Sequence, residues 1–256
     1  MDGTRDAIHA RVDRDLDAHL LASAWSGPET LVLAARILAA DGHCSGLAGQ
    51  LTQRLPDGTF RTLPLGVGFD EVRPRDVLRV DRELNVVEGK GIPNPAVRFH
   101  LWVYGKRPDA MAIVHTHPPK ASALSMIGRP LVVSHMDTAM LYDDVAFLPE
   151  WPGVPVADEE GRIIATALGS KRSILLAHHG ILTTGRDLVE ATYLAIAMEL
   201  AAKLQLDAEA AGAVTPIRPD FGRQAHDFMR KPAIMNATFA WRARQVLRAD
   251  PAALGG

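Results

Sequence analysis

The residues with the clearest capacity for chemistry are two pairs of histidines, each at the end of an apolar run. They are His115 and His117 after residues 110–114, and His178 and His179 after residues 173–177. Each apolar run predicts a buried strand, and side chains two apart in a strand point to the same side. If the two strands end side by side in one sheet, three imidazoles can converge on one ion. An open coordination position would remain, the pattern of catalytic rather than structural metal sites. The simpler alternative is a set of core histidines with satisfied hydrogen bonds.

The elements that must position these histidines follow from hydrophobic periodicity and turn residues. The predicted helices are a lead-in within residues 1–26, then 28–42, 95–105, 119–126, 158–168 and 187–211, and a C-terminal helix through Trp241. The predicted strands are 47–55 and 60–65 around the Asp57-Gly58 turn, 77–80, 85–87, 110–114, 131–134, 145–147 and 173–177. Residues 135–142 are ambiguous.

The longest predicted helix has two features of its own. Asp187 and Glu190 have the D-x-x-E spacing of a capping box at its start. Its apolar residues are spread over most of its circumference, which predicts burial against the sheet and against something else, such as another subunit.

Composition limits the function classes. The 256 residues suffice for one large α/β domain over 1–256 with a C-terminal helical tail. A net charge of −2 without a basic stripe argues against nucleic-acid and membrane-surface partners. No signal peptide is recognisable, and the longest apolar stretch, residues 191–198, is too short to span a bilayer. Cys44 is the single cysteine, which favours the reducing cytoplasm.

Four motifs together resemble the class II aldolase/adducin superfamily, typified by L-fuculose-phosphate aldolase. They are the glycine turn at 46–49, Arg98-Phe99-His100, residues 114–117 and residues 178–180. The resemblance covers about residues 29–206. It implies an α/β fold, a three-layer α/β/α sandwich with a mixed, largely antiparallel central sheet. It also implies a divalent metal and a homotetramer with active sites between subunits. By residue-wise match the ligands would be His115, His117 and His179, with His178 as a neighbour.

The departures from the family pattern concern sugar-phosphate chemistry. The family's acid/base carboxylate is matched here by Ala96, and its tyrosine acid by Met136. The two serines of its phosphate site are matched by Asn94 and Pro95. The asparagine and the threonine of that site are matched by Gln50 and Leu65. A phosphate needs several small-residue backbone and hydroxyl donors, and Leu65 and Pro95 remove donors there. The resemblance therefore implies a retained metal site without the sugar-phosphate machinery.

The preferred interpretation is a metal-dependent carbon–carbon lyase acting on a small, non-phosphorylated molecule. Decarboxylation of a hydroxylated aromatic acid is favoured, because the pattern resembles the branch that includes dihydroxyphthalate decarboxylase. Retro-aldol cleavage of a hydroxy-carbonyl compound and a non-haem iron oxygenase are the alternatives within enzymes. An adducin-like interaction module is the third reading, although the ligand histidines remain. Three imidazoles suit Zn, Mn, Co or Fe(II), and the sequence does not separate these metals.

The candidates for acid/base catalysis are His178, His135 and Tyr142, and those for substrate binding are Arg98, Gln50 and Asn94. Each has a structural alternative. His178 could orient His179 without taking part in proton transfer, and His135 could support the fold. Tyr142 could pack at an interface. Arg98 could hold a substrate carboxylate or anchor its own helix in an ion pair.

Overall fold

The computed structural model describes residues 5–20, 25–154 and 157–255. The helices are α1 (Arg5–His19), α2 (Gly27–Ala40), α3 (Val97–Lys106), α4 (Pro119–Met126), α5 (Asp158–Leu168), α6 (Leu188–Glu209), α7 (Pro219–Met229) and α8 (Pro232–Ala249). The strands are β1 (Gln50–Arg54), β2 (Phe60–Thr62), β3 (Leu78–Val80), β4 (Val86–Glu88), β5 (Ala112–Thr116), β6 (Val145–Leu148), β7 (Ser173–Leu176) and β8 (Ile181–Gly185). Residues 1–4 and 21–24 of the predicted lead-in lie outside the described residues.

Within the described residues, the strands form one sheet of eight in the order β4-β3-β2-β1-β5-β8-β7-β6. β6 and β7 pair in parallel, and the other neighbours pair antiparallel. Helices α3 and α5 cover one face, whereas α2, α4, α6 and α8 cover the other. The predicted α/β fold, a three-layer sandwich around a mixed and largely antiparallel sheet, is confirmed.

Alternation along the central strands explains the two cores. Ile113 of β5 packs with Leu182 and Ile174 in the core under α3 and α5, whereas Val114 belongs to the core under α2 and α6. Successive side chains of a strand point to opposite faces, so a strand covered on both faces reads as an unbroken apolar run. All five residues of β5 are buried, which is why this strand was visible in the sequence.

The predicted strand at 131–134 is wrong, because that segment is irregular. Its backbone groups find partners other than a neighbouring strand. Val132 N–H donates to Oε1 of Gln205 at 2.8 Å, and the Val133 carbonyl accepts from Ile217 N–H at 3.2 Å. The ambiguous segment that follows contains the 3-10 helix Met136–Leu141.

Helix α6 partly meets its predicted capping. The Asp187 side chain accepts from Glu190 N–H at 2.8 Å, as expected. The Glu190 carboxylate does not return to the Asp187 backbone; it accepts from Arg186 N–H at 2.8 Å and from the Arg230 guanidinium. The apolar circumference of α6 is covered within the chain by the sheet and by α2, α4 and α8, so it does not require another subunit. In the described part of the chain, no helix combines the length and apolar character needed to cross a membrane.

Candidate metal centre

His115, on β5, has its ring orientation set by the backbone. Its Nδ1 lies 2.8 Å from the Ile181 carbonyl oxygen. A carbonyl oxygen can only accept, so the neutral ring carries its proton on Nδ1 and Nε2 is left as a free lone pair. This Nε2 lies 2.9 Å from Nε2 of His117. Two residues on one side of the strand therefore place ligand atoms together, as the sequence predicted.

His179 reaches the pair from the turn that joins β7 to β8. Strands β5 and β7 are not neighbours, contrary to the simplest expectation, because β8 lies between them. The tight turn at 177–180 brings His179 back towards β5, and the ring centroids of His179 lie 4.8 Å from His115 and 4.7 Å from His117. The ligand atoms of the three histidines all lie within 4.8 Å of one another.

Gly180 makes this approach possible. A Cβ at this position would lie 2.5 Å from the Thr116 carbonyl oxygen and 2.6 Å from Cδ2 of His117. No real side chain tolerates such contacts, so the glycine after the histidine pair serves close packing of the turn on β5.

The electrostatics keep all three imidazoles neutral at neutral pH. Burial, followed by repulsion from His179 and His117, holds the pKa of His115 well below its usual value. Burial also lowers the pKa of His117, and burial with repulsion from His117 lowers that of His179 to about 4. Neutral imidazole is the metal-binding form. Three such donors, with no carboxylate in the cluster among the described residues, fit a divalent ion with open coordination positions.

A second layer of polar groups supports the centre, and sequence reasoning missed part of it. The buried His43 has Nδ1 2.9 Å from Oγ1 of Thr116, the residue between the two β5 histidines. His100 is also buried, with Nδ1 2.9 Å from Oγ1 of Thr52, and its ring lies 6.5 Å from that of His115. The one available signal for His43 was a histidine directly after an apolar helix end.

Gln50 and Asn94 line one narrow cleft next to the centre. Gln50 pairs directly with His115 across the β1–β5 ladder, so the two side chains are on the same face. The Oε1 atom of Gln50 is buried and has no hydrogen-bond partner. Most remaining side chains of the cleft are apolar, and none is cationic: Leu47, Thr62, Leu63, Pro64, Leu65, Val67 and Phe69.

The three acid/base candidates are placed differently. His178 is exposed in the β7–β8 turn with φ +55°, and His179 alone of this pair joins the cluster. His135 is exposed, and its Nδ1 accepts from Asp137 N–H at 3.2 Å. Tyr142 lies just before β6 and packs against Gly222 of α7. The first residues of β6 pair with the start of β7.

The histidine turn follows the other end of β7, so Tyr142 and the histidine turn lie at opposite ends of the strands. The structure therefore does not bring Tyr142 to the three histidines within one chain. A strand pairing that was invisible in the sequence decides this separation.

Arg98 is not in the Gln50 cleft. Its guanidinium pairs with Asp158 of α5 at 3.4 Å, on the outer surface of α3. The ion-pair alternative therefore describes Arg98, and as a substrate-binding residue of this centre it is misplaced.

The chain is similar to enzymes of known structure and activity. The model of the class II aldolase and adducin N-terminal domain matches residues 29–206. A 5-methylthioribulose-1-phosphate/5-deoxyribulose-1-phosphate aldolase of Rhodospirillum rubrum is 34% identical over 169 residues, which are 66% of this chain and 75% of that protein. The decarboxylase NovR of Streptomyces niveus is 31% identical over 182 residues, 70% of this chain and 67% of that protein.

The L-fuculose 1-phosphate aldolase from Glaciozyma antarctica PI12 is a solved structure with the same fold. It is 27% identical and superposes with a TM-score of 0.79 over 99% of this chain and 95% of that one. The sheet, the converging histidines and the family match over most of the chain lead to one conclusion: the protein belongs to the class II aldolase/adducin family.

Proposed function

We propose that this protein is a metal-dependent carbon–carbon lyase for a small, non-phosphorylated substrate, and that its reaction is decarboxylation of a hydroxylated aromatic acid. One observation carries the proposal. Three neutral imidazoles with a free ligand position adjoin a cleft whose walls are mostly apolar and carry no cation. Such a cleft suits an apolar ring better than a phosphate group, which needs cations or several donors.

The protein residues divide the work as follows. His115, His117 and His179 would hold the divalent ion, which supplies a Lewis acid next to the bond that breaks. The unpartnered Oε1 of Gln50 would accept a hydrogen bond from a substrate hydroxyl, because a buried acceptor without a partner is costly. The apolar walls would exclude water and strengthen these polar contacts.

Decarboxylation is preferred over retro-aldol cleavage because of what the chain lacks. A retro-aldol step needs a base for the substrate hydroxyl and an acid for the carbanion. The two family positions for related roles are occupied by Ala96 and Met136. Decarboxylation needs only a proton donor to the ring carbon after the bond breaks, and His178, next to a ligand, is the closest candidate in the same chain. His135 and Tyr142 remain candidates only from a neighbouring copy.

The relatives support the lyase class and leave the substrate open. One is named a decarboxylase and another a sugar-phosphate aldolase, and both names denote cleavage of a carbon–carbon bond. The retro-aldol and oxygenase alternatives are therefore distinguished in the test by what each reaction releases or consumes.

The decisive experiment incubates the protein, loaded in turn with Zn, Mn, Co and Fe(II), with dihydroxybenzoates, dihydroxyphthalates and hydroxy-keto acids. CO₂, aldehyde and dissolved O₂ are recorded together. We expect CO₂ from an aromatic acid without O₂ uptake. Aldehyde without CO₂ would identify an aldolase, and O₂ consumption an oxygenase.

A second assay tests the substrate class. Fuculose-, rhamnulose- and ribulose-phosphate should be cleaved far below ordinary enzymatic rates, which are about 1–10³ s⁻¹. The reason is that Leu65 and Pro95 replace groups that would donate to a phosphate. Turnover of any of the three within that range would refute the non-phosphorylated class.

We further propose that the enzyme is a homotetramer with active sites at subunit interfaces. Leu47 and Leu65, on the cleft, are 54% and 40% exposed in the single chain. A neighbouring subunit that covers this opening would bury both side chains and complete the site.

A further inference from the structure

A second cavity lies on the outer side of α3, away from the histidine centre. It has a volume of about 650 Å³ and is walled by the outer face of α3, the end of β1, the β3–β4 turn and the start of α5. Arg54, which lines it, is four residues along β1 from Gln50, a distance of ~13 Å at the rise of a strand. The cavity therefore does not belong to the metal centre. Its volume is in the range of small-molecule sites, about 300–1,000 Å³.

The charge of this cavity is strongly unbalanced. One carboxylate, that of Asp158, lines it. The cationic side chains that line it are Arg54, Arg82, Arg98 and Lys106. The carboxylate is already engaged by Arg98 at 3.4 Å and by Nε1 of Trp102 at 3.1 Å. In the part of the chain that the structure describes, no carboxylate lies within 4.0 Å of the other three cations.

Two of these three cations have hydrogen-bond partners in the described ranges, and those partners are neutral. Lys106 Nζ donates to Oγ1 of Thr166 at 2.7 Å, and Arg54 donates to the Tyr104 carbonyl. Burial, and repulsion from Arg82, act together to lower the pKa of Arg54, and the negative charge of Asp109 only partly opposes them. Bringing like charges together at a partly buried site is unfavourable unless an anion joins them.

Aromatic rings fix the geometry of the cavity. The Arg54 guanidinium lies over the Tyr104 ring at 4.6 Å, and that ring stacks on Phe60 with centroids 5.2 Å apart. A guanidinium packed over a ring has its position fixed, which leaves its remaining N–H groups available to a ligand at little entropic cost. Trp102 forms another apolar wall, and Gly105 leaves open space, since a Cβ there would contact nothing within 4 Å.

We propose that this cavity, here called the α3 cleft, binds a small phosphate-bearing anion. Guanidinium and ammonium groups in a concave site match a phosphate group, because Arg offers paired donors and Lys a compact charge. The Trp102 wall has room for an organic group attached to the phosphate. The ligand is thus a phosphate ester or a free polyphosphate, and it is distinct from the substrate of the metal centre.

The experiment is isothermal titration of the full, metal-loaded protein with pyrophosphate, ADP and adenosine. Wild-type protein should bind both phosphates with a Kd below about 1 mM and bind adenosine far more weakly. The double variant Arg82→Gln/Lys106→Gln should weaken phosphate binding by at least about tenfold, since it removes two charge-assisted contacts. Both side chains are exposed, so this variant should keep its melting temperature.

The matched control is Arg244→Gln/Arg248→Gln, which removes the same charge from the exposed surface of α8. It should bind like wild type. Tighter binding of ADP than of pyrophosphate would assign an ester, and equal binding a free polyphosphate. Absence of binding by the wild type, equal weakening in both double variants, or adenosine binding as strong as that of ADP would each overturn the proposal.

Discussion

His115 owes its free ligand atom to the main chain. The Ile181 carbonyl accepts a hydrogen bond from Nδ1–H, and this partner belongs to β8, the strand next to β5. A backbone acceptor cannot rotate away, so the ring keeps its tautomer and direction without another side chain. His115 is therefore held by the sheet itself, the arrangement that holds ligand geometry best, whereas His179 comes from the β7–β8 turn.

His117→Ala should remove most of the bound divalent metal and the activity while the fold stays intact. Two imidazoles do not replace a three-donor set, and His117 is only partly buried at the end of β5. Elemental analysis and circular dichroism of purified protein measure both effects. His19→Ala, on the exposed surface of α1, is the control and should keep its metal. Undiminished metal in the His117 variant would refute the assignment of the ligands.

His178→Asn tests the proton donor. Asparagine tolerates the positive φ of this position, so the turn should keep its shape and the protein its metal. If His178 delivers the proton, kcat should fall by about 10²–10⁴. If the variant keeps a normal kcat on the aromatic acid identified as the substrate, the proton donor would instead be His135 or Tyr142 of another subunit.

Gly180→Ala should disturb the centre without touching a ligand. The added Cβ would press on the Thr116 carbonyl and on His117, and such overpacking costs about 1–3 kcal/mol. We expect a lower free energy of unfolding in urea and weaker metal binding. Gly105→Ala is the matched control, because its Cβ would meet open space in α3 and helix propensity favours alanine. Equal stability of the two variants would contradict the close-packing argument.

At the scale of elements, a buried ion network fixes α7 against α6 and the start of β6. Arg230, directly after α7, contacts both Asp144 and Glu190. Glu190 also accepts from Arg186 Nε at 2.9 Å. Both Arg230 and Glu190 are almost fully buried, so removal of one partner leaves a buried charge. This network lies at the ends of the strands opposite to the metal centre and explains the position of Tyr142.

Acid should loosen this network. Burial alone would raise the pKa of Glu190, but hydrogen bonds from the Arg186 backbone and from Arg230 outweigh it and lower the pKa to about 2. A carboxylate with a depressed pKa stabilises the folded state above its ordinary pKa. That contribution should be lost as the pH falls from about 4.5 to about 2. Urea unfolding at a series of pH values in this window measures the decline.

Arg230→Gln gives the comparison for this prediction. It should lower the free energy of unfolding at pH 7 by about 3 kcal/mol, the cost of breaking a buried pair, and flatten the decline in acid. Arg218→Gln, whose exposed pair with Asp220 also belongs to α7, should cost less than about 1 kcal/mol. An unchanged acid slope in the Arg230 variant would show that Glu190 does not depend on this pair.

At the scale of the whole molecule, the sheet separates two cores, and the metal centre lies in the middle of the sheet, where β5 ends. Helix α8 packs on α2 and α6 within the same chain, so we propose that residues 1–256 act as one domain. The surface of the single chain still includes exposed apolar side chains. Met126, next to the residue whose carbonyl accepts from His178 N–H, is 67% exposed, and Met136, beside α7, is 64% exposed. Exposed methionines are typical of a surface that another protein covers.

Sedimentation velocity at micromolar concentration should therefore show a tetramer. The expected interface includes the opening of the Gln50 cleft, so Leu65→Glu should shift the distribution towards smaller species and reduce activity together. Val87→Glu, on the exposed strand β4, is the control for an added charge and should leave assembly unchanged. A monomeric wild type would exclude this assembly.

The local part of this site was readable from the residues alone. Apolar runs predicted β5 and β7, and a spacing of two placed His115 and His117 on one side, because strand geometry follows from steric rules of the chain itself. The Asp187 cap was predicted for the same reason. Strand β8 was missed although Ile-Leu-Thr-Thr has strand character. Residues 131–134 were wrongly predicted as a strand, because their backbone groups bond to Gln205 of α6 and to Ile217 after it.

Whatever depends on the order of the strands was decided by the tertiary structure. The sequence determined that His115, His117 and His179 end apolar strands, but the insertion of β8 between β5 and β7 decided how His179 meets the other two. The tertiary structure also placed Tyr142 at the opposite ends of the strands, His43 behind Thr116, and Arg98 against Asp158 in the α3 cleft. Local periodicity reports only which face a side chain occupies. Its neighbours across that face are set by packing between segments distant in the chain, whose energies no single segment contains.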